Sequence, residues 1–363
     1  MLTLRLSSAG PALTTLDAAM RRRRRQAFRP GTTSNHRRQA AAWITFCFTH
    51  GLNDIDPSPD CVCWFIEHLT STLASPRAIR NYISGLRTWH TRIAGPPASL
   101  DSAHVRDMLR ALDRTLTHVP RPKLPLTQDL LLPLFNACPS LGPLAPAMRV
   151  ALLFGYYGFL RQSNLAPRSP HAFTPRRDTC RGDALLAPPG VLLILRWTKT
   201  LQRGDTAHVV PLPARPGHPL CPEAAYKDLL TSTPTLSPNH PLLQIPAPPS
   251  APLTRRCVSL PQLTSGLRTL LQATGLAADA YSLHSLRAGG ATDAHRAGAS
   301  ALDIQRHGAW ASSAYQGYLA APQPAAAPIP RALTASHTGR PPCTPSRLGT
   351  SRPTPDLVRE GSI

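Results

Sequence analysis

Apolar residues recur at helical spacing in four stretches near the start of the chain, and they predict a small four-helix domain over residues 33–117. The first predicted helix runs from His36 to Phe48. The next two begin at Ser58-Pro59 and Ser75-Pro76, where serine can cap the helix and proline suits its first position. The fourth covers roughly Ser102–Leu116. Since each helix has one apolar side, the four can bury these sides together.

A second patterned region, residues 127–320, mixes helices with a small β segment. Val191–Trp197 and His208–Leu212 predict two antiparallel strands joined by a turn. Helices are expected on both sides, among them a long apolar one over about Pro143–Leu160 and another over Leu286–Ala297. The predicted fold class is therefore α+β and mostly helical: an N-terminal four-helix domain, then a mixed α/β domain with a small antiparallel sheet.

The segments outside these two regions lack an apolar period. Residues 1–32 read as a basic disordered arm, and residues 118–126, with three prolines, as an extended basic linker. Residues 321–363 are proline-rich and predict a disordered tail. Proline makes up 41 of the 363 residues, and nine of the 41 lie in the tail 321–363.

The charge balance points to a polyanionic partner. Lys+Arg is 40 against 19 for Asp+Glu, a formal net charge of +21, and only three of the 40 are lysines. Nucleic acid is the partner that this charge favours, although G+C-rich coding would also enrich arginine. Arg77, Arg80 and Arg87 form a stripe on the third helix that can track a phosphate backbone or simply face solvent. Arg121 and Lys123 in the linker are further candidate DNA contacts.

Several classes of protein are not expected. The longest apolar run, Ala145–Leu160, is interrupted by Arg149 and too short to span a bilayer, and no secretory signal follows the N-terminus. The eight cysteines include no C-x-x-C pair, so we expect no metal site and no disulfide framework. An intracellular location follows, nuclear if the source is eukaryotic and otherwise cytoplasmic. The arginine run Arg21–Arg25 is either a nuclear-import or DNA-contacting segment or a solvated tail.

Candidate chemistry lies in an ordered set of motifs rather than in any single one. An arginine follows an apolar helix, a rare lysine lies in the hairpin, and a histidine and an arginine three residues apart open a helix whose N-terminus favours anions. A glycine-x-tryptophan and a tyrosine come last. In order, the residues are Arg161, Lys199, His284, Arg287, Trp310 and Tyr318.

At these residues the sequence resembles the tyrosine recombinase (phage integrase-like) family. The closest similarity is to recombinases of eukaryotic mobile elements of the DIRS and Crypton kinds. The motifs that carry it are Gly155–Arg161, Trp197–Gly204, His284–Thr292 and Gly308–Trp310, with Tyr318 eight residues further on. The resemblance covers about residues 125–320, and residues 33–117 are more loosely similar to the family's helical core-binding domain.

The resemblance implies a site-specific recombinase or integrase that cuts and rejoins DNA through a 3′-phosphotyrosine link. Arg161 and Arg287 would offer forked donors to the non-bridging phosphate oxygens. His284 and the indole N–H of Trp310 would add hydrogen bonds, although His307 is an alternative to Trp310 in this role.

The remaining two roles are those of nucleophile and acid. Tyr318 would attack the phosphorus, with Tyr315 as the alternative tyrosine, and Lys199 would protonate the departing 5′ oxygen. The covalent link retains the bond energy, so no metal, ATP or other cofactor is expected, and no small-molecule substrate.

The resemblance also implies assembly. Two domains would clamp duplex DNA, and four protomers would form a synapse on DNA, with a monomer in solution. The sequence departs from the family at Asn164, where an acidic residue is usual, and lacks a recognisable C-terminal docking helix. Two alternatives therefore stay open: a catalytically impaired or domesticated DNA-binding protein, and a type IB topoisomerase-like relaxase.

Overall fold

The computed structural model describes residues 13–25, 27–28, 30–95, 97–117, 122–198, 207–234, 237–248 and 250–319. The chain forms two compact units that divide between Arg121 and Pro122. Three predictions lie outside the described residues: the roles of Arg121 and Lys199, and the disordered tail 321–363. Of Tyr318 the backbone is described and the side chain is not.

The described residues of the first unit form five helices and a short 3₁₀ turn. The helices are α1 Leu13–Arg25, α2 Pro30–His50, α3 Pro59–Thr70, α4 Pro76–Ile93 and α5 Ala103–Thr115, and the turn is Ala98–Asp101. The predicted starts of α3 and α4 agree with the structure, because proline takes the first helical position in both. The Ser58 hydroxyl accepts a hydrogen bond from the Cys61 amide, which satisfies one of the free donors of α3.

Helix α1 is a correction to the expected disordered arm. Its sequence is rich in leucine, alanine and arginine, which are good helix formers even without an apolar period. An ion pair between Asp17 and Arg21, one turn apart at 2.7 Å, adds to its stability.

The core of the first unit forms around the fully buried Trp43, whose indole N–H donates to the Asp54 carbonyl at 2.9 Å. Phe65, Ile66, Ile79 and other apolar residues of α3, α4 and α5 pack with it. This is the shared apolar interior that the periodicity predicts.

The second unit holds the remaining helices and a sheet. Its helices are α6 Gln128–Ala137, α7 Ala145–Tyr157, α8 Gln162–Leu165, α9 Pro222–Ser232, α10 Leu253–Arg256, α11 Leu260–Ala273, α12 Leu283–Arg296, α13 Ala301–His307 and α14 Gln316–Leu319. Short 3₁₀ turns lie at Cys138–Leu144, Pro170–Ala172, Arg181–Asp183 and Ser313–Tyr315. The predicted start of α12 is late by one turn, because Ser282 rather than a later residue caps it in a capping box with Ser285.

The sheet has three antiparallel strands in the order β1–β2–β3, and the α+β, mostly helical prediction is confirmed. The strands are β1 Ala184–Ala187, β2 Gly190–Leu195 and β3 His208–Pro213. The predicted hairpin is β2–β3, with Leu193 opposite Val210. Strand β1, which pairs with β2, was not predicted, because four apolar residues carry no clear period.

Helix α7 lies at the centre of the second unit, and nine of its residues are buried. It packs against α6, α9, α11 and α12. By length and composition alone, Gln128–Tyr157 could cross a membrane, yet half of the apolar stretch is buried inside the fold. The chain also breaks between α6 and α7, where Gly142 adopts a left-handed φ of 55°. The apolar character of α7 thus serves the core.

Residues 122–126, predicted as part of a free linker, are held against the second unit. Leu126 is fully buried and its amide donates to the Ser285 carbonyl at 2.9 Å. A Cβ on Gly289 would lie 1.8 Å from the Leu126 carbonyl oxygen, so glycine is what lets α12 approach this segment. Lys123, a predicted DNA contact, donates to the Asp279 carbonyl.

Candidate active site

Two loops that follow helices α7 and α13 form the framework of the site. Each helix ends at a glycine in a nearly right-handed conformation, Gly158 (φ −90°) and Gly308 (φ −83°). The next residue is left-handed although it is not glycine: Phe159 has φ 46° and Ala309 has φ 50°. The residue before Ala309 must be glycine because there is no space for a side chain there: a Cβ on Gly308 would lie 1.7 Å from the Trp310 ring. The chain then turns sharply at both places.

Arg287, on α12, extends into the space between these loops and is 2% exposed. Its Nη1 donates to the Phe159 carbonyl, and its Nη2 donates to the Gly308 carbonyl at 2.8 Å. The guanidinium carbon lies 3.6 Å from the centroid of the Trp310 ring, a cation–π contact. These contacts stabilise the buried charge and fix the orientation of the Arg287 guanidinium.

Arg161 approaches the same region from the end of the first loop. It occupies the N-cap position of α8 and is half-buried. Its Nη2 donates to the Ala309 carbonyl at 3.4 Å. The two predicted arginines therefore both contact the 308–309 loop, although 126 positions separate them in the sequence.

His284 lies one turn before Arg287 in the first turn of α12, and its side chain reaches solvent. The surrounding protein lowers the pKa of His284 below its ordinary value of 6.5, and the positive charges of Arg287 and Arg161 lower it further. The imidazole is therefore neutral at pH 7, and it lies within the electrostatic reach of both arginines.

His307, the alternative to Trp310 as a phosphate donor, makes its hydrogen bonds to other parts of the protein. Its Nε2 donates to the Tyr157 carbonyl at 2.7 Å, and its ring meets the Phe159 ring edge-on at 4.7 Å. Its carbonyl accepts a hydrogen bond from His208 Nε2 at 2.9 Å. Burial lowers the pKa of His307; the Tyr157 carbonyl opposes this shift, while the charges of His208 and Arg287 add to it.

The lowered pKa values predict that acid destabilises the protein. As the pH falls through 6.5, the unfolded chain binds more protons on these histidines than the folded chain does, so unfolding becomes more favourable. We expect the thermal unfolding midpoint to be constant from pH 8 to 7 and to fall toward pH 5. His284→Gln and His307→Gln should each reduce this fall. A midpoint that rises on acidification would contradict the prediction.

Trp310 lies inside the protein, 8% exposed, with its ring on Arg287. Phe159 and Tyr315 pack around it, each with a centroid separation of 6.1 Å. Tyr315 is itself 7% exposed and belongs to this small cluster. The burial of Tyr315 favours the interpretation of this residue as a packing residue.

Contacts within the second unit hold the chain segment next to Lys199 and the helix that includes Tyr318. Helix α14, which includes Tyr318, packs against α12, the helix of His284 and Arg287. At the end of β2, the buried Asn164 donates from Nδ2 to the Trp197 carbonyl at 3.0 Å. Asn164 thus fixes the strand end two residues before Lys199 through its amide donor, which a carboxylate in its place would lack.

Asp293 is a residue of the site region that sequence reasoning missed. Its Oδ2 accepts from the Tyr156 hydroxyl and from the Gln128 amide, both at 2.8 Å, and so ties α12 to α6 and α7. Burial, and then the hydrogen bond to Asp293, raise the pKa of the Tyr156 phenol. The available signal was Asp293 itself, the one carboxylate in the sequence of α12.

In the first unit, two of the three stripe arginines are engaged by α5 and the 3₁₀ turn before it. Arg80 pairs with Asp113. Arg87 pairs with Asp101 at 2.8 Å. Arg77 is exposed and has no ion pair within the described part of the chain. Arg80 and Arg87 therefore also join α4 to α5 and to the 3₁₀ turn, and the contact of the stripe with DNA stays a prediction.

A different basic surface opens between α1, α2 and α4, as a groove of about 490 Å³. Arg24, Arg37 and Arg92 line it, and no acidic residue is among the described residues that do. The Arg92 guanidinium lies 4.2 Å from the centroid of the Phe28 ring. We call this surface the basic groove. Sequence reasoning missed it because each arginine comes from a different helix.

Comparison with known proteins identifies the fold. No protein-family model and no curated protein matches the chain. Among solved structures, the Tn1549 transposon integrase in complex with transposon right end DNA matches with a TM-score of 0.57 and 14% identity, over 88% of this chain and 97% of that one. A lambda integrase dimer bound to a COC′ core site matches with a TM-score of 0.51 and 14% identity, over 85% and 76%. The chain has the fold of tyrosine recombinases and integrases.

Proposed function

We propose that this protein is a site-specific DNA recombinase or integrase that works through a 3′-phosphotyrosine intermediate. The observation that carries the proposal is the meeting of Arg161 and Arg287 at one loop, with the neutral His284 one turn away, in a fold shared with two integrases bound to DNA. We propose further, from the motif spacing, that its relatives are the DIRS and Crypton recombinases.

In the proposed reaction, the Tyr318 oxygen forms a bond to the scissile phosphorus and the bond to the 5′ oxygen breaks. Lys199 delivers a proton to that leaving oxygen. A 5′ hydroxyl from a second strand then attacks the phosphotyrosine and restores the phosphodiester. One phosphoester bond replaces another at each step, so the cycle needs no external energy.

The arginines stabilise the charge that develops on the non-bridging oxygens. Such stabilisation is strongest when donors are fixed before the reaction, because no reorganisation is then needed. Arg287 meets this condition through two carbonyls and the Trp310 ring. We therefore assign Trp310 the role of orienting Arg287, in place of the direct phosphate donor that the resemblance implies. His284, neutral at pH 7, adds a hydrogen bond.

Because the target sequence is unknown, the test is capture from a library. Random-sequence duplexes with a nick just downstream of the cleaved phosphate would be incubated with the protein, and adducts purified under denaturing conditions. The short cleaved strand diffuses away, so a covalent adduct accumulates. Recovery of one enriched sequence supports the proposal. Relaxation of supercoiled DNA by monomers, without strand exchange, would favour the topoisomerase alternative, and specific binding without any adduct would favour a DNA-binding protein.

We propose that the basic groove contributes to DNA binding, and this gives a salt-dependence prediction. If on the order of six phosphates are neutralised, affinity should fall about a thousandfold between 50 and 200 mM salt. Arg37→Gln combined with Arg92→Gln should weaken DNA binding. It should also reduce the slope of log affinity against log salt concentration by roughly two. Arg110→Gln, which removes a surface arginine paired with Asp107, is the matched control and should change neither. A flat salt response, or a wild-type slope in the double variant, contradicts the prediction.

A further inference from the structure

Four helices of the second unit end with the same hydrogen-bond pattern, in which an amide donates to the carbonyl five residues earlier. The pairs are Leu160 to Gly155 (3.2 Å), Leu276 to Leu271 (2.8 Å), Ala299 to Ala294 (2.9 Å) and Trp310 to Gln305 (3.0 Å). This pattern needs a left-handed residue just before the donor, and glycine is the usual choice. Helices α11 and α12 follow the rule with Gly275 (φ 72°) and Gly298 (φ 89°).

The two helix ends at the site break the rule. Phe159 and Ala309 occupy the left-handed position after α7 and α13. A residue with a Cβ is disfavoured there relative to glycine, and backbone strain of this kind tends to occur at functional sites. Both exceptions have carbonyls that accept from Arg287 or Arg161, whereas neither regular case makes a hydrogen bond to these arginines among the described residues.

Each of the two strained residues also presents its carbonyl to one of the arginines. The Phe159 carbonyl accepts from Arg287, and the Ala309 carbonyl accepts from Arg161 at 3.4 Å. A left-handed alanine has a narrow conformational well, which fixes the direction of its carbonyl. Glycine in its place could rotate the peptide plane over a much wider range. The choice of alanine therefore restricts where the Arg161 guanidinium can lie.

We infer that Ala309 is a positioning residue for Arg161: its left-handed backbone aims a carbonyl that holds the guanidinium in the orientation a phosphate requires. The left-handed Phe159 presents its carbonyl to Arg287 in the same way, but its ring also packs with His307 and Trp310. A substitution of Phe159 would therefore change packing as well, so Ala309 is the residue to test. The inference rests on the proposed function, because a fixed guanidinium matters only if it contacts the reacting phosphate.

The test is Ala309→Gly, measured in stability, DNA affinity and cleavage. Glycine relieves the strain, so the thermal unfolding midpoint should rise by about 2–4 °C. DNA affinity should not change, whereas the cleavage rate at saturating DNA should fall roughly tenfold, because the guanidinium is no longer held in place. On a methylphosphonate linkage, which lacks the negative charge that arginine neutralises, the defect should largely disappear. A merely structural role for Ala309 would not depend on the charge of the linkage.

Gly275→Ala is the matched control. It introduces the same strain at a helix end away from the site, and the new Cβ has nothing within 4 Å to clash with. It should lower the unfolding midpoint by a similar amount and leave cleavage unchanged. This control separates the effect of stability from the effect of positioning.

Arg161→Ala separates this inference from the proposed function. If Arg161→Ala is defective and recovers on the methylphosphonate while Ala309→Gly cleaves at the wild-type rate, the positioning inference is wrong and the proposed function stands. If Arg161→Ala cleaves normally, its proposed phosphate contact is wrong and the inference falls with it. A lower unfolding midpoint for Ala309→Gly would also overturn the inference, because the alanine would then not be strained.

Discussion

Tyr318→Phe should abolish the covalent capture of DNA while leaving affinity for the duplex nearly unchanged. Phenylalanine keeps the aromatic ring and removes only the oxygen that would attack the phosphorus, and without a nucleophile no phosphotyrosine can form. The measurement is adduct formation on a nicked target duplex, separated on a denaturing gel, beside the affinity of both proteins for the intact duplex.

Tyr315→Phe is the control for this prediction. Tyr315 packs against Trp310 with 7% of its surface exposed, and its substitution also removes a single hydroxyl. We expect Tyr315→Phe to form as much adduct as the wild type. Undiminished adduct from Tyr318→Phe would eliminate the assignment, and loss of adduct from Tyr315→Phe instead would transfer the role to Tyr315.

Lys199→Ala should lose roughly 10²- to 10⁴-fold in cleavage of normal DNA and recover most of it when sulfur replaces the 5′-bridging oxygen. An alkoxide is a poor leaving group unless it is protonated, whereas a thiolate leaves without a proton. The defect of a missing general acid therefore depends on the leaving atom. Cleavage rates on the two substrates would be compared at saturating protein.

Arg287→Ala gives the contrasting result in the same experiment. Its guanidinium acts on the non-bridging oxygens, whose charge is the same in both substrates, so sulfur should not restore its activity. Equal defects of Lys199→Ala on the two substrates would remove the acid role and leave Lys199 as a phosphate contact at most.

Most of the fold could be predicted because its helices carry local start signals. The Ser-Pro pairs before α3 and α4 and the strand pattern of β2 and β3 are properties of short segments. Strand β1 could not be predicted in this way, since its position depends on pairing with β2. Helix α1 was missed for a related reason: a basic sequence without an apolar period gives no sign of where it packs.

The geometry of the candidate site could not be predicted from the sequence. The motif order places Arg161 and Arg287 in one site, yet the sequence has no sign that Trp310 lies on the Arg287 guanidinium. The left-handed Ala309 was hidden because the glycine that usually marks such a turn stands one residue earlier. The ion pairs of Arg80 and Arg87 could not be predicted for a similar reason, because the carboxylates that pair with them lie elsewhere in the chain.

The identity of the amino acid joined to DNA is the direct test of the proposed phosphotyrosine chemistry. The adduct captured from the duplex library would be digested with trypsin and nuclease, and the modified peptide sequenced by mass spectrometry. We expect a nucleotide joined through its 3′-phosphate to the peptide that contains Tyr318, with fragment ions that place the nucleotide on that tyrosine. A nucleotide on Tyr315, on a serine, or on any residue outside helix α14 would contradict this expectation.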